Sequence, residues 1–387
     1  MARHIYVHIP FCEAKCPYCS FFSRRSSPDI ENEYLHACMK EAAFYKERIG
    51  NGLLPDNNLK LDPTDRTDTV YFGGGTPSVP DAFLTAELLE RVIDAFGIGK
   101  EDMEATIEAN PHSLTLSKAK TYRNAGFNRI SIGIQSLDKD VLKTLGRLHD
   151  PKAAEDAIRI ARDSGFRNIS ADLITGVPAQ TVEGLIKDAG RLLDLGVSHI
   201  SLYALSVEEG TPFYSRYGDA IDDIVDPSLE RKMYHDVRAY LKTRGFCPYE
   251  ISNCSPKGRE SIHNSIYWKG LEYAAIGAGA HGFLDSVRFC HDDDIESYIQ
   301  DPLSVTVEET LDEKAKQKEY MMLMLRTSEG VADKAFAERF GREPGEVFGD
   351  GIGSLLERGL IEKDGGRIRL TSPKGLDLAN EVFREFV

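Results

Sequence analysis

The sequence has few cysteines, no long apolar run and no excess of positive charge, and each shortage excludes a class of protein. Seven cysteines among 387 residues are too few and too unevenly spread for a disulfide framework. No uninterrupted apolar run approaches the roughly 18 residues of a membrane-spanning helix. Against 62 Asp and Glu stand only 47 Lys and Arg, and the net charge of −15 makes nucleic acid or an anionic membrane a poor partner.

The N-terminus also lacks the features of a secretory signal. Its apolar run is short, His4 and His8 interrupt it, and no cleavage site follows. Hydrophobic residues make up 41% of the chain, which is enough for a large core. The composition therefore predicts a reduced, cytoplasmic, acidic globular protein of about two domains.

One junction recurs through the first two-thirds of the chain. It reads AGFNRIS at 125–131, SGFRNIS at 164–170 and LGVSHIS at 195–201: a helical stretch, a glycine that ends it, and a β-rich run. The predicted strands are Ile5–Ile9, Thr69–Phe72, Ala105–Glu108, Arg129–Ile134, Ile169–Ile174 and Ile200–Leu205, with helices between them. This order predicts parallel strands joined by helical crossovers, in either an open doubly wound sheet or a barrel-like wrap.

Three of the cysteines form the motif Cys12-x3-Cys16-x2-Cys19 directly after the first predicted strand. Three thiolates on one tight loop can hold three irons of a [4Fe-4S] cubane and leave the fourth iron without a protein ligand. A structural zinc site is the alternative, but it requires a fourth ligand, usually from a second pair, and no such pair is obvious. The motif therefore favours an iron–sulfur cluster.

The text around this motif, YVHIPFCEAKCPYCSF, resembles the radical S-adenosylmethionine (SAM) enzymes. It is most similar to the branch that contains the oxygen-independent coproporphyrinogen III oxidases and the HemW-like haem chaperones. The resemblance implies an α/β fold, a partial (β/α)6 radical-SAM barrel with a C-terminal winged-helix-like α+β module. The cluster and SAM would lie at the open top of the barrel, where an electron from a low-potential donor would cleave SAM to a 5′-deoxyadenosyl radical.

The resemblance also assigns a cofactor site, residue by residue. The glycines of FGGGTPS at 72–78 let backbone approach a ligand, although alone they would be read as an ordinary turn. The family places the SAM methionine portion against Gly74, Gly75 and Thr76, and a SAM-contacting carboxylate at Glu108. Tyr6 and Tyr18 match positions around the cofactors, whereas Gln135, Arg147 and Asp172 match positions that contact a second SAM in the oxidases.

Two features separate the oxidases from the haem chaperones. The oxidases carry an N-terminal extension and a further cysteine two residues after the third, where this chain has Phe21. The segment HNSIYW at 263–268 matches the H-N-x-x-Y-W signature of the HemW-like branch. A neutral imidazole at His263 can ligate haem iron, while Tyr267 and Trp268 offer flat apolar surface; a hydrogen-bonded His in a barrel-closing loop is the alternative reading.

The sequence therefore predicts a haem chaperone that binds a [4Fe-4S] cluster, SAM and haem, and passes the haem to acceptor proteins. Oxidative decarboxylation of coproporphyrinogen III is the alternative function, so whether the protein is an enzyme stays open at this point. A formal dinucleotide fingerprint, IGAGAHGF at 276–283, precedes no convincing helix and is read as a close-packed glycine turn. Its His281 is a second candidate haem ligand, and Asp292–Asp294 are interpreted as a solvated loop.

From about Asp312 the pattern changes to helices at 312–326, 332–340 and 344–358, followed by the hairpin signature GLIEKDGGRIRLTS. This order predicts a winged-helix-like module. Residues 312–387 carry 13 Lys and Arg against 15 Asp and Glu, which favours packing or partner docking over nucleic-acid binding. The predicted domains are 1–245 for the barrel, 246–311 for a barrel-closing segment with the HNxxYW motif, and 312–387 for the module.

Overall fold

A parallel sheet forms the centre of the computed structural model, which describes residues 3–50, 67–218 and 226–387. Its first six strands are β1 (His4–Ile9), β2 (Asp68–Gly74), β3 (Met103–Ala109), β4 (Arg129–Gln135), β5 (Asn168–Thr175) and β6 (His199–Ala204). They lie side by side in chain order, and each pairs in parallel with the next. All six predicted strands are confirmed.

Helices connect these strands on the outside of the sheet. They are α1 (Pro28–Gly50), α2 (Ala82–Phe96), α3 (Leu116–Ala125), α4 (Lys139–Thr144), α5 (Pro151–Asp163), α6 (Val182–Asp194), α7 (Pro212–Tyr217) and α8 (Pro227–Thr243). The recurring glycines Gly126, Gly165 and Gly196 all have positive φ, of 126°, 98° and 90°. Because an L side chain rarely adopts such a backbone conformation, glycine is what lets each helix turn directly into the next strand.

The sheet continues past both ends of this six-strand unit. After α8 the chain forms β7 (Cys247–Pro248) and β8 (Asn253–Ser255); β8 pairs antiparallel with β6, and β7 pairs antiparallel with β8. A further strand, β9 (Ala274–Ile276), pairs in parallel with β1. In the resulting order β7-β8-β6-β5-β4-β3-β2-β1-β9 the end strands do not pair with each other, so the described strands form an open wrap and confirm a partial barrel.

The inward face of the wrap is unusually polar near the carboxyl ends of β3–β6. Glu108, Ser131 and Asp172 lie on neighbouring strands, and the Ser131 hydroxyl donates to Asp172 at 3.2 Å. Ser201 pairs in register with Asp172. Since most barrels fill this space with branched apolar side chains, a polar interior indicates room for a polar ligand.

Beyond β9 the chain builds a three-stranded antiparallel sheet from β10 (His281–Leu284), β11 (Val287–Cys290) and β12 (Thr306–Thr310). The short helices α9 (Ile262–Trp268) and α10 (Ile295–Gln300) flank this region. The glycine turn after β9 is close-packed: a Cβ on Gly277 would lie 2.6 Å from the His8 carbonyl oxygen. A strand follows it instead of a helix, so no helix N-terminus faces the glycines of the formal dinucleotide fingerprint.

The C-terminal module has the predicted winged-helix-like order. It contains α11 (Glu313–Met324), β13 (Val331–Ala332), α12 (Asp333–Phe340), α13 (Pro344–Glu357), β14 (Ile361–Asp364), β15 (Arg367–Leu370), α14 (Lys374–Asp377) and α15 (Ala379–Arg384). The hairpin β14–β15 is the predicted wing, and β13 adds a third strand that the sequence did not reveal. The module has an apolar core of its own, which includes Met321, Phe336 and Leu355. The domain bounds given above remain predictions.

No helix in the described part of the chain has the length and apolar character needed to cross a membrane.

Candidate functional site

The three cysteines of the motif lie on a loop whose base is fixed by backbone hydrogen bonds. The N–H of Cys12 donates to the Arg24 carbonyl at 3.0 Å, and the N–H of Arg24 donates to the Pro10 carbonyl at 2.9 Å. Within the loop, the N–H of Cys19 donates to the Cys16 carbonyl at 3.0 Å, which closes a tight turn. All three cysteine side chains are half-buried, and none is in a disulfide.

A cavity of about 550 Å³ opens beside this loop at the carboxyl ends of the strands. It brings together most of the residues that the sequence assigned to cofactors: Cys12, Cys16, Tyr18, Cys19, Gly74, Gly75, Thr76, Glu108, Gln135, Arg147 and Asp172. Two assigned residues, Tyr6 and His263, are not among its lining residues. Active sites of parallel α/β folds gather at this end of the strands, and this cavity is therefore the candidate site.

The glycine-rich segment at the end of β2 packs directly against the cysteine loop. The N–H of Gly75 donates to the Ile9 carbonyl at 2.9 Å, and a Cβ on Gly75 would lie 2.8 Å from the backbone nitrogen of Phe11. Thr76 follows, and its hydroxyl oxygen lies 3.4 Å from the Cys12 sulfur. Glycine is therefore required at this position by contact with the backbone of the cysteine loop, in addition to any approach of a ligand.

Arg147 connects the cysteine loop to the sheet. One terminal nitrogen donates to the Cys16 sulfur at 3.3 Å, and the other donates to Asn110 Oδ1 at 2.7 Å and to the Gly133 carbonyl at 2.8 Å. Asn110 in turn donates to the Thr76 hydroxyl at 2.8 Å. The Arg147 Nε is buried and has no hydrogen-bond acceptor among the described residues. The guanidinium thus keeps one donor for a group that the protein itself does not supply.

Glu108 and Asp172 place two carboxyl groups in the polar interior below the cysteines. The Tyr71 hydroxyl donates to Glu108 Oε1 at 2.6 Å. Burial raises the pKa of Glu108 to about 7 and the nearby Asp172 carboxylate adds to this rise, whereas the hydrogen bond from Tyr71 opposes it. Burial also raises the pKa of Asp172, against hydrogen bonds from Ser201 and Ser131. Such a carboxyl group gains stability when a cationic ligand enters beside it.

Tyr6 and His263 lie behind Tyr71, in the wall of the barrel. The Tyr71 ring stacks on Tyr6 with centroids 6.2 Å apart and on His263 with centroids 5.0 Å apart. The His263 side chain is fully buried, with Nδ1 2.7 Å from the Thr69 hydroxyl and Nε2 2.8 Å from the Tyr267 hydroxyl. Both ring nitrogens are therefore occupied, and haem ligation by His263 stays a prediction that requires the ring to leave these partners.

The last residue of the HNSIYW segment also faces away from the cavity. The Arg326 guanidinium of the C-terminal module lies 4.7 Å from the centre of the Trp268 ring. Arg339 of the same module donates to the Lys269 and Gly270 carbonyls, each at 2.7 Å. The segment therefore joins the barrel wall to the module.

Reasoning from the sequence missed Tyr71 and Asn110. Asn110 follows Glu108 in the segment IEANP at the end of β3, and its position beyond a strand end was the available signal. Tyr71 lies inside β2, where an aromatic residue is most simply read as core, and no local signal distinguishes it.

Comparison with known proteins shows the family to which the chain belongs. Residues 6–192 match the Radical SAM superfamily, and residues 311–378 match the HemN C-terminal domain. The chain is 34% identical over 395 aligned positions to the heme chaperone HemW of Bacillus subtilis, covering 100% of this chain and 99% of that protein. It is also 34% identical over 393 positions to the heme chaperone HemW of Mycobacterium tuberculosis, covering 98% and 93%.

Among solved structures, the coproporphyrinogen III oxidase HemN of Escherichia coli superposes with a TM-score of 0.83 at 19% identity, covering 100% of this chain and 90% of that one. At this identity the likeness shows the shared fold alone. The cluster and SAM follow from membership of the radical SAM superfamily. On the full-length similarity, the chain belongs to the radical SAM superfamily and, within it, to the family of the HemW heme chaperones.

Proposed function

We propose that this protein is a haem chaperone of the radical SAM type, which holds a [4Fe-4S] cluster and SAM in its cavity, binds haem and transfers it to acceptor proteins. The observation that carries the proposal is the similarity, along the whole chain, to relatives named heme chaperone HemW. The geometry of the cavity supports the cofactor part independently.

The donor set at the cysteine loop fits a cluster with three protein ligands. Cys12, Cys16 and Cys19 line one cavity; Thr76 contacts the Cys12 sulfur, and Arg147 contacts the Cys16 sulfur. Hydrogen bonds and positive charge next to the sulfurs stabilise an anionic cluster and tune its reduction potential. These three cysteines would hold the cluster, and the fourth iron would remain open for a ligand.

The acidic and basic side chains of the cavity fit the amino-acid part of SAM. The Glu108 and Asp172 carboxyls offer partners for an ammonium group, and Arg147 Nε offers an unused donor for an anionic one. Gly74, Gly75 and Thr76 would lie beside the methionine portion, and Gln135 also lines the cavity. When bound, the cluster and SAM supply one-electron chemistry, with the electron coming from a low-potential donor protein.

Phe21 distinguishes this site from that of the oxidases. It occupies the position at which those enzymes carry a further cysteine, it lines the cavity, and its side chain is 69% exposed. A phenyl ring at the rim of an open cavity offers a flat apolar surface to a ligand, and a porphyrin face is such a ligand. We therefore propose that Phe21 contacts haem at the rim of the cavity.

The test is a haem titration of the anaerobically reconstituted protein, followed by transfer to a haem-free globin as a probe acceptor. We expect saturable haem binding and transfer, with no formation of protoporphyrinogen when coproporphyrinogen III, SAM and a reductant are supplied. Phe21→Ala should weaken haem binding by about tenfold, because it removes one aromatic contact. Phe83→Ala is the matched control, since Phe83 is 71% exposed on α2 and does not line the cavity.

Conversion of coproporphyrinogen with formation of 5′-deoxyadenosine would replace this proposal with the oxidase function. Haem binding that Phe21→Ala and Phe83→Ala weaken equally would contradict the location at the cavity rim and leave the cluster and SAM assignments untouched.

A further inference from the structure

A second cluster of ligand-type side chains lies outside the cavity, on the sheet formed by β10, β11 and β12. His281 on β10 pairs in register with Cys290 on β11. Glu308 lies on β12, the strand next to β11. One nitrogen of His281, the Cys290 sulfur and one carboxylate oxygen of Glu308 all lie within 4.8 Å of one another.

A β-bulge brings Glu308 into this group. Arg288 pairs with Glu309, whereas the next residue of β11, Phe289, pairs with Val307, so Glu308 is the extra residue of β12. A bulge residue is released from the alternation of the strand and can direct its side chain to a new position. Here the Glu308 carboxylate lies 3.1 Å from His281 Nδ1.

An ordinary surface ion pair explains only part of this arrangement. His281 and Glu308 are both exposed, and such a pair contributes little to stability. The register of β10 and β11 adds the Cys290 thiol to the same point, so three ligand atoms of different types converge there. Imidazole, thiolate and carboxylate from three adjacent strands are instead the donor types that bind Zn²⁺ and related ions.

We propose that His281, Cys290 and Glu308 form a binding site for one divalent transition-metal ion of the zinc class. Three protein ligands leave one tetrahedral position for water or for a group on a partner. The thiol and imidazole select such an ion over Mg²⁺ and Ca²⁺, which prefer oxygen ligands alone. The acidic residues Asp292 and Asp293, which act electrostatically on Cys290, favour a cation over an anion at this point.

Haem iron fits this trio poorly, even though His281 is a candidate haem ligand by sequence. Haem leaves only two axial positions for the protein, on opposite faces of the macrocycle. Three donor atoms that converge on one point from one sheet instead suit a bare ion. The site is independent of the proposed haem function.

The consequence of such a site would be a cross-link through the sheet. All five residues of β12 are exposed, and the strand is the outer one of its sheet. An ion held by His281, Cys290 and Glu308 would tie this outer strand to β10 across β11. Ion binding should therefore raise the melting temperature of the folded chain.

The experiment measures Zn²⁺ binding to the full chain in which Cys12, Cys16 and Cys19 are replaced by Ala, so that the cluster thiols do not compete. Equilibrium dialysis against Zn²⁺ should give one ion per chain, and Co²⁺ should give the absorption of tetrahedral thiolate coordination. His281→Ala, Cys290→Ser and Glu308→Gln should each weaken Zn²⁺ binding by at least about tenfold. Loss of a residue that only supports a metal ligand already weakens binding by about this factor.

Cys247→Ser is the matched control, because Cys247 is an exposed free cysteine on β7. If the background variant folds poorly, Cys290→Ser and Cys247→Ser are made in the chain that keeps the three cluster cysteines. Comparing the zinc content of these two cluster-loaded variants then gives the same answer. Equal zinc binding by these two variants, or no saturable binding at one equivalent, would overturn the proposal. Loss of a haem spectrum in His281→Ala without any Zn²⁺ binding would also overturn it.

Discussion

Tyr71→Phe is the substitution that tests the electrostatics of the candidate site most directly. The Tyr71 hydroxyl donates to Glu108 at 2.6 Å, while its ring stacks between Tyr6 and His263. Phenylalanine keeps the ring and both stacking contacts and removes only the hydroxyl. Any change in ligand binding can then be assigned to the carboxyl group of Glu108.

The expected size of the effect follows from the hydrogen bond. A hydrogen bond to a charged group contributes about 1.5–3 kcal/mol, and about 1.36 kcal/mol corresponds to one pKa unit. Since this bond lowers the pKa of Glu108, which is about 7, its loss should raise that pKa by about 1–2 units. At pH 7.5 the ionised fraction of Glu108 would fall from about three-quarters to about a quarter or less.

The assay is equilibrium dialysis of SAM with the cluster-loaded protein under anaerobic conditions between about pH 6 and pH 9.5. If ionised Glu108 contacts the SAM ammonium group, affinity rises with pH, and the midpoint of this rise should move upward by about 1–2 units in Tyr71→Phe. Well above both midpoints the two proteins should bind SAM similarly. Tyr240→Phe, on α8 outside the cavity, is the control for loss of a tyrosine hydroxyl.

An unchanged midpoint in Tyr71→Phe would refute the reasoning, because it would mean that the hydrogen bond does not set the charge of Glu108 or that Glu108 does not contact SAM. Equal loss of SAM binding at every pH would also refute it, since that result indicates a steric or folding defect.

Three further predictions concern the same cavity. Glu108→Gln should melt at a higher temperature than the SAM-free wild type at pH 8, with no difference near pH 4.5. The reason is that a folded-state pKa of Glu108 raised to about 7 makes the stability of the wild type fall as pH rises from 4.5 to 7. Equal melting temperatures at pH 8 would contradict this prediction. Gly75→Ala should lower the iron content after reconstitution, since its Cβ would lie 2.8 Å from Phe11 backbone atoms, whereas Gly99→Ala, which meets nothing within 4 Å, should not. Arg147→Gln should shorten the lifetime of the cluster in air and shift the reduction potential of the cluster, because the positive charge of Arg147 and its contact with Cys16 are lost. An unchanged reduction potential would argue against that contact.

The repeating part of the fold could be predicted because its signals are local. Gly126, Gly165 and Gly196 each end a helix and begin a strand within a few residues, so spacing alone gives the order of the βα units. The strand β9 could not be predicted, since three residues are too few to show alternation and its partner β1 lies more than 260 positions away. Non-local pairing of a short segment leaves no pattern in its own sequence.

The residues of the candidate site divide in the same way, into those that the local sequence reveals and those that depend on contacts between distant segments. Cys12, Cys16 and Cys19 share one loop, so a motif reveals them, and Glu108 is found because the family resemblance places a SAM-contacting carboxylate at the end of the third strand. Tyr71 and His263 owe their roles to side-chain contacts across the barrel wall, which depend on strand register and on the later helix α9. A sequence motif shows that HNSIYW matters to a family without showing which way its side chains point.

The position of His263 couples haem binding to the SAM site if this residue is the haem ligand. Its ring stacks on Tyr71, which holds Glu108, and both of its nitrogens are hydrogen-bonded inside the wall. To reach haem iron, the imidazole must move away from Tyr71, which then keeps only Tyr6 as a stacking partner. Linkage then requires that haem and SAM weaken each other's binding by the same factor.

His263→Ala and Tyr267→Phe separate ligation from a positioning role. If His263 ligates haem, His263→Ala should abolish the haem spectrum, whereas Tyr267→Phe, which removes one hydrogen bond that holds the ring in the wall, should strengthen haem binding. If His263 only supports Tyr71, both variants should keep the haem spectrum and shift the pH dependence of SAM binding. Haem binding that is unchanged in His263→Ala and independent of SAM would therefore exclude ligation by this residue, and it would leave the HNSIYW segment as the support of Tyr71 and Glu108.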